Sequence, residues 1–182
     1  MKRASDIIFS LIGLALFALP ACIIAGIIKF VERHPVLFFQ ERIGKNRQPF
    51  LIIKLQTMVN NRPTTTGKIL RTTGLDEIPQ FLNVLKGDMS IVGPRALTLA
   101  DIIRLGWDDP FHDCRWQVKP GITGFAQLYG GQHKKISWFW DNQYLGKNDI
   151  MIDLGIILIS FLMNFFGKRP IRRILFQNTD LD

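Results

Sequence analysis

The first element that the residue pattern predicts is a long apolar segment near the amino terminus. Residues 7–28 carry no charged side chain over 22 positions, and a straight helix of that length would extend about 33 Å, enough to cross the hydrocarbon core of a bilayer. Pro20 interrupts the segment, and the pieces before and after it would reach only about 20 Å and about 12 Å. The pattern therefore permits a kinked spanning helix or a re-entrant helix that turns at Pro20.

The charges that flank this segment favour the re-entrant helix. Lys2 and Arg3 precede the segment, and Lys29 and Arg33 follow it. Positively charged flanks remain on the cytoplasmic side of a membrane, so both ends are expected on that side. The interpretation is a re-entrant membrane helix over residues 1–28.

A secretory signal is a third interpretation of the same residues. The basic start, the apolar stretch and Cys22 resemble a signal that ends in a lipidation cysteine. Against this interpretation, the apolar run continues past Cys22 to residue 28, Pro20 lies beside the supposed cleavage point, and Asp6 dilutes the basic start. The segment is therefore expected to remain in the protein.

Beyond the apolar segment, the pattern predicts one β-hairpin and several helices. Residues 35–58 contain two strand-like runs around a Gly-Lys-Asn-Arg turn. Residues 75–87 predict a helix with acidic residues in its first turn and Lys-Gly at its end, and residues 96–106 predict another. Two stretches that contain Gly and Pro, residues 90–94 and 118–124, are predicted loops.

The carboxyl-terminal part predicts a segment that lies on a membrane surface. Residues 154–163 are apolar but too short to cross a bilayer. Four basic residues follow them: Lys168, Arg169, Arg172 and Arg173. An apolar helix with a basic end favours the headgroup plane. The chain thus divides into the membrane helix, a central domain over residues 29–150 and an amphipathic segment and tail over residues 151–182.

The composition narrows the fold and the partners. A chain of 182 residues fits one domain, and a hydrophobic content of 47% excludes a disordered chain. The expected fold is a helix-rich α/β domain with one small β-hairpin. The net charge of +8 and the pI of about 9.8 favour nucleic acid, acidic lipid or a phosphorylated substrate as partner. Two cysteines exclude a disulfide framework and favour a reducing compartment.

The candidate chemistry lies at the end of a basic stretch. Residues 42–75 contain no acidic residue, and Asp76 and Glu77 end the stretch. The basic residues within it are Arg42, Lys45, Arg47, Lys54, Arg62, Lys68 and Arg71. Most of them are expected on a solvated or lipid-facing surface. Lys54, which lies between apolar neighbours, and Arg71, which lies shortly before the carboxylates, are the better candidates for binding phosphate.

The two adjacent carboxylates are expected to have different roles. Acidic residues in the first turn of a helix ordinarily complement its dipole, but this helix start would also attract a phosphate. Neighbouring side chains on a helix diverge by about 100°, so Asp76 and Glu77 would not face one atom. Arg95 follows Gly93 and Pro94 on a rigid turn, which suits phosphate binding.

Several other site classes lack a sufficient pattern. His112 and Cys114 supply two metal-ligand types without a second pair, which is uninformative. The sequence contains neither a P-loop nor the paired-glycine dinucleotide pattern, and no Ser-His-Asp or Cys-His set stands out. Hydrolase and nucleotide-fold interpretations lose support.

Together these motifs resemble the monotopic phosphoglycosyl transferases, a bacterial sugar transferase family that moves a sugar phosphate from a nucleotide sugar to polyprenyl phosphate. The resemblance covers nearly the whole chain. The segments that carry it are Lys2-Arg3-x-x-Asp6-Ile7, Phe39-Gln40-Glu41-Arg42-Ile43-Gly44, Phe50-x-x-x-Lys54-x-x-Thr57-Met58, Leu70-Arg71-x-x-x-Leu75-Asp76-Glu77-Ile78-Pro79-Gln80, Asn83-Val84-Leu85-Lys86-Gly87-Asp88-Met89-Ser90-x-Val92-Gly93-Pro94-Arg95, Lys119-Pro120-Gly121-Ile122-Thr123-Gly124-x-Ala126-Gln127 and Asp141-x-x-Tyr144.

The resemblance implies a catalytic domain over residues 29–150 on the cytoplasmic face of the bacterial inner membrane, held by a monotopic helix that breaks at Pro20. It implies Asp76 as the nucleophile that attacks a UDP-sugar, releases UMP and passes the sugar phosphate to polyprenyl phosphate. Mg²⁺ is the expected cofactor, with Asp76 as its ligand. Glu77 is expected to assist as acid, base or positioning group for the metal. No nucleic acid is expected as a partner, and later glycosyltransferases of the same pathway would use the product.

The remaining expected roles concern binding. Lys54, Arg71 and Arg95 are expected to contact phosphates, and Asp141 the sugar-nucleotide pocket. The sequence departs from the family pattern at Gln56, where Arg is usual, and at Ala96, where Pro is usual. The alternative function is a basic, membrane-tethered protein that binds lipid or nucleic acid without catalysis.

Overall fold

The computed structural model describes residues 2–130, 134–145, 149–167 and 171. The α-helices are α1 (Lys2–Gly26), α2 (Thr65–Thr73), α3 (Gln80–Lys86), α4 (Leu99–Leu105), α5 (Lys134–Leu145) and α6 (Ile150–Phe166). The strands are β1 (Leu37–Ile43), β2 (Pro49–Leu55), β3 (Met58–Val59), β4 (Arg62–Pro63), β5 (Ser90–Val92) and β6 (Gly121–Thr123). Short 3₁₀ turns cover Lys45–Arg47, Leu75–Glu77 and Pro110–Gln117, and π-helical turns cover Ile27–Val31 and Ala126–Gly130. The helix-rich α/β class and the hairpin are confirmed.

The predicted hairpin is strands β1 and β2, which pair antiparallel around the Lys45–Arg47 turn. Phe38 lies opposite Lys54 in this pairing, and Arg42 lies opposite Phe50. Because side chains alternate between the faces of a strand, these four residues share one face. This face carries Lys54 and Arg42 together.

The two Gly-Pro stretches predicted as loops contain strands instead. Ser90 pairs with Gly121 and Val92 with Thr123 in a parallel two-stranded sheet, β5 with β6. Each strand has three residues, too few for an alternating pattern, and the pairing depends on close backbone contact. A Cβ atom on Gly121 would lie 2.1 Å from the backbone nitrogen of Gly93. The loop prediction was wrong because a long-range backbone contact, which no local pattern records, builds this sheet.

The helix predicted over residues 75–87 is divided in the structure. Gly74, with φ of +73°, ends α2 in the left-handed conformation that glycine adopts without strain. The chain then forms the 3₁₀ turn Leu75–Glu77, and α3 begins only at Gln80. The predicted end is confirmed, since Gly87 caps α3 with φ of +103°. Both acidic residues therefore lie on a tight turn between two helices.

The amino-terminal helix α1 continues through Pro20 to Gly26, and the π turn extends it to Val31. This stretch, Lys2–Val31, is long and apolar enough to cross a membrane by length and composition, with a mean hydropathy of 2.7. Most of its apolar side chains from residue 11 to residue 23 are exposed. The segment thus presents a long apolar surface outward.

The beginning of α1 is fixed to the globular domain by polar contacts. Arg3 donates to the carbonyl oxygens of Val84 and Leu85, at 2.5 and 2.7 Å, where α3 ends. The buried carboxylate of Asp6 accepts from the Ser90 hydroxyl at 2.8 Å and from the Ile91 backbone N–H at 3.0 Å. These contacts join α1 to α3 and β5.

The end of the same helical stretch also packs on the domain. Ile28 is fully buried in a cluster with Leu55 of β2 and Leu70 of α2. Partly buried Ile24 lies against this cluster. Both ends of the apolar segment therefore contact one globular domain.

The carboxyl-terminal helix α6 presents one face to the core and one outward. Asp153, Ile156 and Met163 are buried. The exposed apolar side chains of the helix include Met151, Leu154, Leu158, Phe161 and Phe165. Their spacing of three or four residues forms one stripe along the helix. The four basic residues predicted after this helix, Lys168, Arg169, Arg172 and Arg173, lie outside the described residues.

Candidate active site

Asp76 and Glu77 lie on the 3₁₀ turn between α2 and α3 in different surroundings. Asp76 is 8% exposed, whereas the Glu77 side chain is one-third exposed. Glu77 Oε1 accepts from Lys54 Nζ at 2.5 Å. The turn therefore separates the two carboxylates, as expected for side chains with different roles.

A buried amide holds Lys54 beside this turn. Asn83 of α3 accepts from the backbone N–H of Ile53 at 3.0 Å and donates to the carbonyl of Leu51 at 2.7 Å. These two bonds fix β2 against α3 on both sides of the residue that precedes Ile53. Since Lys54 follows Ile53, its ammonium group reaches Glu77 from a strand that cannot easily shift.

Burial raises the pKa of Asp76, and the negative charge of Glu77 raises it further. The positive charges of Lys54 and Arg71 oppose the rise. A more basic carboxylate is a better nucleophile once it is ionised, and the nearby cations favour its ionised form. The surroundings of Asp76 thus suit a nucleophile.

Arg71 lies in the last turn of α2 with an exposed side chain, and its Nη1 lies 3.1 Å from Met58 Sδ. The helix that carries it packs with its backbone directly on the strand region before it. A Cβ atom on Gly67 would lie 2.1 Å from the carbonyl oxygen of Thr57. Glycine at this position therefore sets the distance between α2 and the hairpin side of the site.

A pocket of about 150 Å³ opens beside the carboxylates. Its lining includes four arginines and two aspartates: Arg42, Arg95, Arg104, Arg115, Asp101 and Asp141. The charges of Arg95 and Glu77 both act on Arg42, which links the pocket to the 3₁₀ turn. A pocket with this many guanidinium groups suits an anionic ligand.

Arg42 and Asp101 form one side of the pocket. Arg42 donates to the carbonyl of Ala96 at 3.1 Å, and its Nη1 lies 3.6 Å from Asp101 Oδ2. Burial and the nearby Arg95 charge lower the pKa of Arg42, and Asp101 and Glu77 oppose this. Although burial opposes it, hydrogen bonds and nearby cations hold the pKa of Asp101 below its usual range.

Asp141, predicted for the sugar-nucleotide pocket, lines this pocket as half of a buried ion pair. Arg115 Nε donates to Asp141 Oδ2 at 2.8 Å, and the two side chains are 2% and 3% exposed. Burial raises the pKa of Asp141, and the charge of Arg115 opposes the rise. Arg115 also donates to the carbonyl of Arg95. The pair therefore supports the backbone that carries Arg95, whose side chain is exposed at the pocket.

The structure brings together most of the residues selected from the sequence. Lys54, Arg71 and Glu77 surround Asp76, and Arg95 and Asp141 lie in the adjoining pocket. Gln56, a departure from the family pattern, donates to the backbone of Met58, the residue whose sulfur contacts Arg71. Pro20 lies within α1 and is exposed.

Sequence reasoning missed Arg42, Arg104, Arg115 and Asp101 as pocket residues. Arg42 belonged to the basic run but had no feature that separated it from surface cations. The capping box of Thr98 and Asp101 at the start of α4 is a local signal, and it marks the helix without marking a pocket. Arg115 is recognisable only through its contacts with residues distant in sequence.

The described portion of the chain contains no group of three or more His, Cys, Asp or Glu side chains arranged to hold a metal ion. Mg²⁺ is commonly held by one or two carboxylates together with substrate phosphates. The oxygen atoms of Asp76, at the edge of an arginine-rich pocket, fit that mode of binding.

Comparison with known proteins identifies the family. Residues 1–167 match the family described as bacterial sugar transferase. The chain is 33% identical to UDP-N-acetylgalactosamine-undecaprenyl-phosphate N-acetylgalactosaminephosphotransferase of Aeromonas hydrophila, over 93% of this chain and 45% of that protein. It is 33% identical to UDP-glucose:undecaprenyl-phosphate glucose-1-phosphate transferase of Escherichia coli K12, over 92% of this chain and 41% of that protein.

A shorter relative matches over most of its own length. The chain is 35% identical to the exopolysaccharide production protein PSS of Rhizobium leguminosarum, over 86% of this chain and 91% of that protein. The protein therefore belongs to the bacterial sugar transferase family, which confirms the resemblance drawn from its motifs. The chain spans less than half the length of the Aeromonas and Escherichia relatives.

Proposed function

We propose that this protein transfers a sugar phosphate from a UDP-sugar to polyprenyl phosphate, giving a polyprenyl diphosphate sugar and UMP. The observation that carries the proposal is the buried carboxylate of Asp76, placed between cations and beside an arginine-rich pocket. The names of the Aeromonas and Escherichia relatives describe transferases of this type that use undecaprenyl phosphate. The reaction would begin the membrane-bound assembly of a glycoconjugate.

The reaction takes two displacements at one phosphorus atom. An oxygen of Asp76 forms a bond to the β-phosphorus of the UDP-sugar, and the bond from that phosphorus to the oxygen of UMP breaks. The phosphate of the lipid then attacks the same phosphorus, and the bond to Asp76 breaks. A covalent route suits a site that meets a soluble donor and a membrane-bound acceptor in turn.

The remaining residues of the site hold charge and orientation. Lys54 and Arg71 favour the ionised form of Asp76 and would offset the negative charge of the incoming diphosphate. Arg42 and Arg95 line the pocket proposed for the donor. Glu77, which Lys54 holds in place, would move a proton or position the metal.

Mg²⁺ is part of the proposal, with Asp76 as its protein ligand. The ion would neutralise the charge that develops on the leaving UMP. Arginines of the pocket supply further positive charge to the same diphosphate. The protein thus needs few carboxylates at the site.

A monotopic, re-entrant placement of α1 at the cytoplasmic face is also proposed. Two sets of contacts support it, since Arg3 and Asp6 at the start and Ile28 at the end bind the same globular domain. A helix that crossed the bilayer would place its two ends on opposite sides. The exposed apolar stripe of α6 supports a second contact with the membrane surface.

Cysteine labelling tests this topology. Single cysteines placed at Lys2 and at Arg33 should both react only with a reagent on the cytoplasmic side. Labelling of the first from the periplasm would establish a spanning helix. Replacing Pro20 by Leu should shift part of the population towards spanning, because the helix would lose its break.

Mass spectrometry of the intact protein tests the reaction. Incubation with a UDP-sugar and Mg²⁺, without acceptor, should release UMP and add one sugar phosphate to the protein. Asp76→Asn should form no adduct, because an amide cannot become an acyl phosphate. Glu77→Gln should slow turnover by roughly 10² to 10⁴, as for the loss of a general acid or base. Release of UMP only when both substrates are present, with no adduct, would indicate direct transfer instead.

The alternative is a basic membrane-tethered protein that binds lipid or nucleic acid without catalysis. The net charge of +8 is compatible with it. It gives no role to a buried Asp76 between Lys54 and Arg71. Failure to release UMP from any of a panel of UDP-sugars would favour this alternative.

A further inference from the structure

The last turns of α6 combine aromatic side chains with one amide. Phe161 and Phe165 are 58% and 74% exposed, and their rings stack with centroids 6.3 Å apart. Asn164 lies between them in sequence and is exposed as well. Asn164 is the only amide in the helix Ile150–Phe166. A helix whose exposed face served only to contact lipid tails would have no need for an amide at this position.

This end of α6 lies against the turn that carries the carboxylates. A Cβ atom on Gly74 would lie 2.9 Å from Nδ2 of Asn164, so the asparagine side chain touches the residue that precedes the 3₁₀ turn. Gly74 is two residues before Asp76. The other end of the helix lies elsewhere, because Asp153 binds Lys2 at the start of α1. Only one end of the apolar stripe therefore approaches the site.

The charges around this contact match an amphiphile with a phosphate head. Arg71 is exposed in the last turn of α2, three residues before Gly74, and its charge acts on Asp76. Beyond Gly74 come first the amide of Asn164 and then the phenylalanine rings. The order along the surface is cation, amide and apolar side chains. A phosphate followed by an isoprenoid chain has the complementary order.

We infer that Phe161, Asn164 and Phe165 form the binding strip for the lipid acceptor at the point where its isoprenoid chain joins the phosphate. Asn164 donates to the phosphate oxygens that Arg71 also contacts, and the two rings pack on the first isoprene units. The strip guides the phosphate towards Asp76 from the membrane side. This inference rests on the proposed function, because it assigns the second substrate of the same site.

Alanine substitutions along one helix test the strip. Phe161→Ala and Asn164→Ala should each raise the KM for polyprenyl phosphate, roughly five- to thirtyfold for loss of the buried ring. Both variants should still form the sugar-phosphate adduct on Asp76 at the wild-type rate when no acceptor is present. The matched control is Met151→Ala, since Met151 is 70% exposed on the same stripe at the far end. Its KM should remain that of the wild type.

A second measurement separates binding of the acceptor chain from binding of the bilayer. With a short, water-soluble prenyl phosphate in place of the long lipid, Asn164→Ala should retain its defect, whereas the defect of Phe161→Ala should diminish. Equal changes in KM for Phe161→Ala and Met151→Ala would show that the stripe only contacts the membrane, and would overturn the inference. Unfolding temperatures of the three variants identify any loss that comes from misfolding.

The outcomes distinguish this inference from the proposed function. A wild-type protein that releases no UMP from any UDP-sugar would refute the proposed function. A wild-type protein that turns over, together with Phe161→Ala and Asn164→Ala variants of unchanged acceptor KM, would refute the strip alone. In that case the first isoprene units must bind elsewhere on the domain.

Discussion

Replacing Arg115 by methionine tests whether the buried ion pair behind the pocket supports both the fold and the donor site. The guanidinium group is 2% exposed and binds Asp141 at 2.8 Å and the carbonyl of Arg95. It also lies 5.3 Å from the ring of Trp107 and 4.8 Å from that of Trp116. Methionine can fill much of this space, but it leaves the carboxylate of Asp141 buried without its cation.

The structure sets the size of the expected loss. Removing one partner of a buried ion pair costs about 3 to 5 kcal/mol, and in a domain of this size each kcal/mol lowers the unfolding temperature by about 2 to 4 °C. The lower cost predicts that Arg115→Met unfolds about 6 to 12 °C below the wild type. Thermal unfolding in detergent, followed by circular dichroism, measures this difference. The KM for the UDP-sugar should rise as well, because the backbone of Arg95 loses its support.

The pH dependence of the loss has a definite sign. Burial raises the pKa of Asp141 and Arg115 opposes the rise, so the pKa of this carboxyl should rise further in Arg115→Met. A group with a raised pKa in the folded state favours folding while it is protonated and loses that contribution as the pH rises. The difference in unfolding temperature should therefore be smaller at acidic pH than at neutral pH.

Arg47 offers a control with the same chemistry at the surface. Its side chain is 37% exposed, pairs with Asp113 at 2.7 Å and lies 5.2 Å from the ring of Trp116. An exposed pair contributes at most about 1 kcal/mol, so Arg47→Met should change the unfolding temperature little. Arg115→Lys should recover part of the stability, because it keeps the charge but not the geometry of the guanidinium group. Equal losses for Arg47→Met and Arg115→Met would refute the reasoning.

Three further predictions concern the site. Glu77→Gln should move the acidic limb of the pH profile of UMP release to lower pH, and Lys54→Met should move it to higher pH, because the two charges act on the pKa of Asp76 in opposite directions; shifts in the same direction would contradict this. Gly67→Ala should destabilise the protein by about 1 to 3 kcal/mol in urea unfolding, because its Cβ atom would lie 2.1 Å from the Thr57 carbonyl oxygen. Chelation of divalent cations should abolish UMP release, and added Mg²⁺ should restore it; turnover in excess chelator would exclude the metal.

Local signals accounted for the elements that short-range physics controls. The hairpin β1–β2 follows from strand-like runs around a turn, and the end of α3 at Gly87 follows from the freedom of glycine to adopt positive φ. The strands β5 and β6 were missed, because three residues each cannot show a period and their partner is about 30 residues away. The position of the carboxylates between α2 and α3 was placed one turn wrongly, since Gly74 ends a helix that sequence patterns did not predict.

The candidate site divides in the same way. The sequence by itself determined the carboxylate pair, the basic stretch before it and the apolar segment, because charge, hydropathy and motif spacing are properties of the chain. Only the tertiary structure decided that Asp76 is buried while Glu77 binds Lys54, and that Arg115 closes the back of the pocket on Asp141. Burial and pairing depend on which distant segments meet, and the pKa of a carboxylate follows from those neighbours rather than from its place in the sequence.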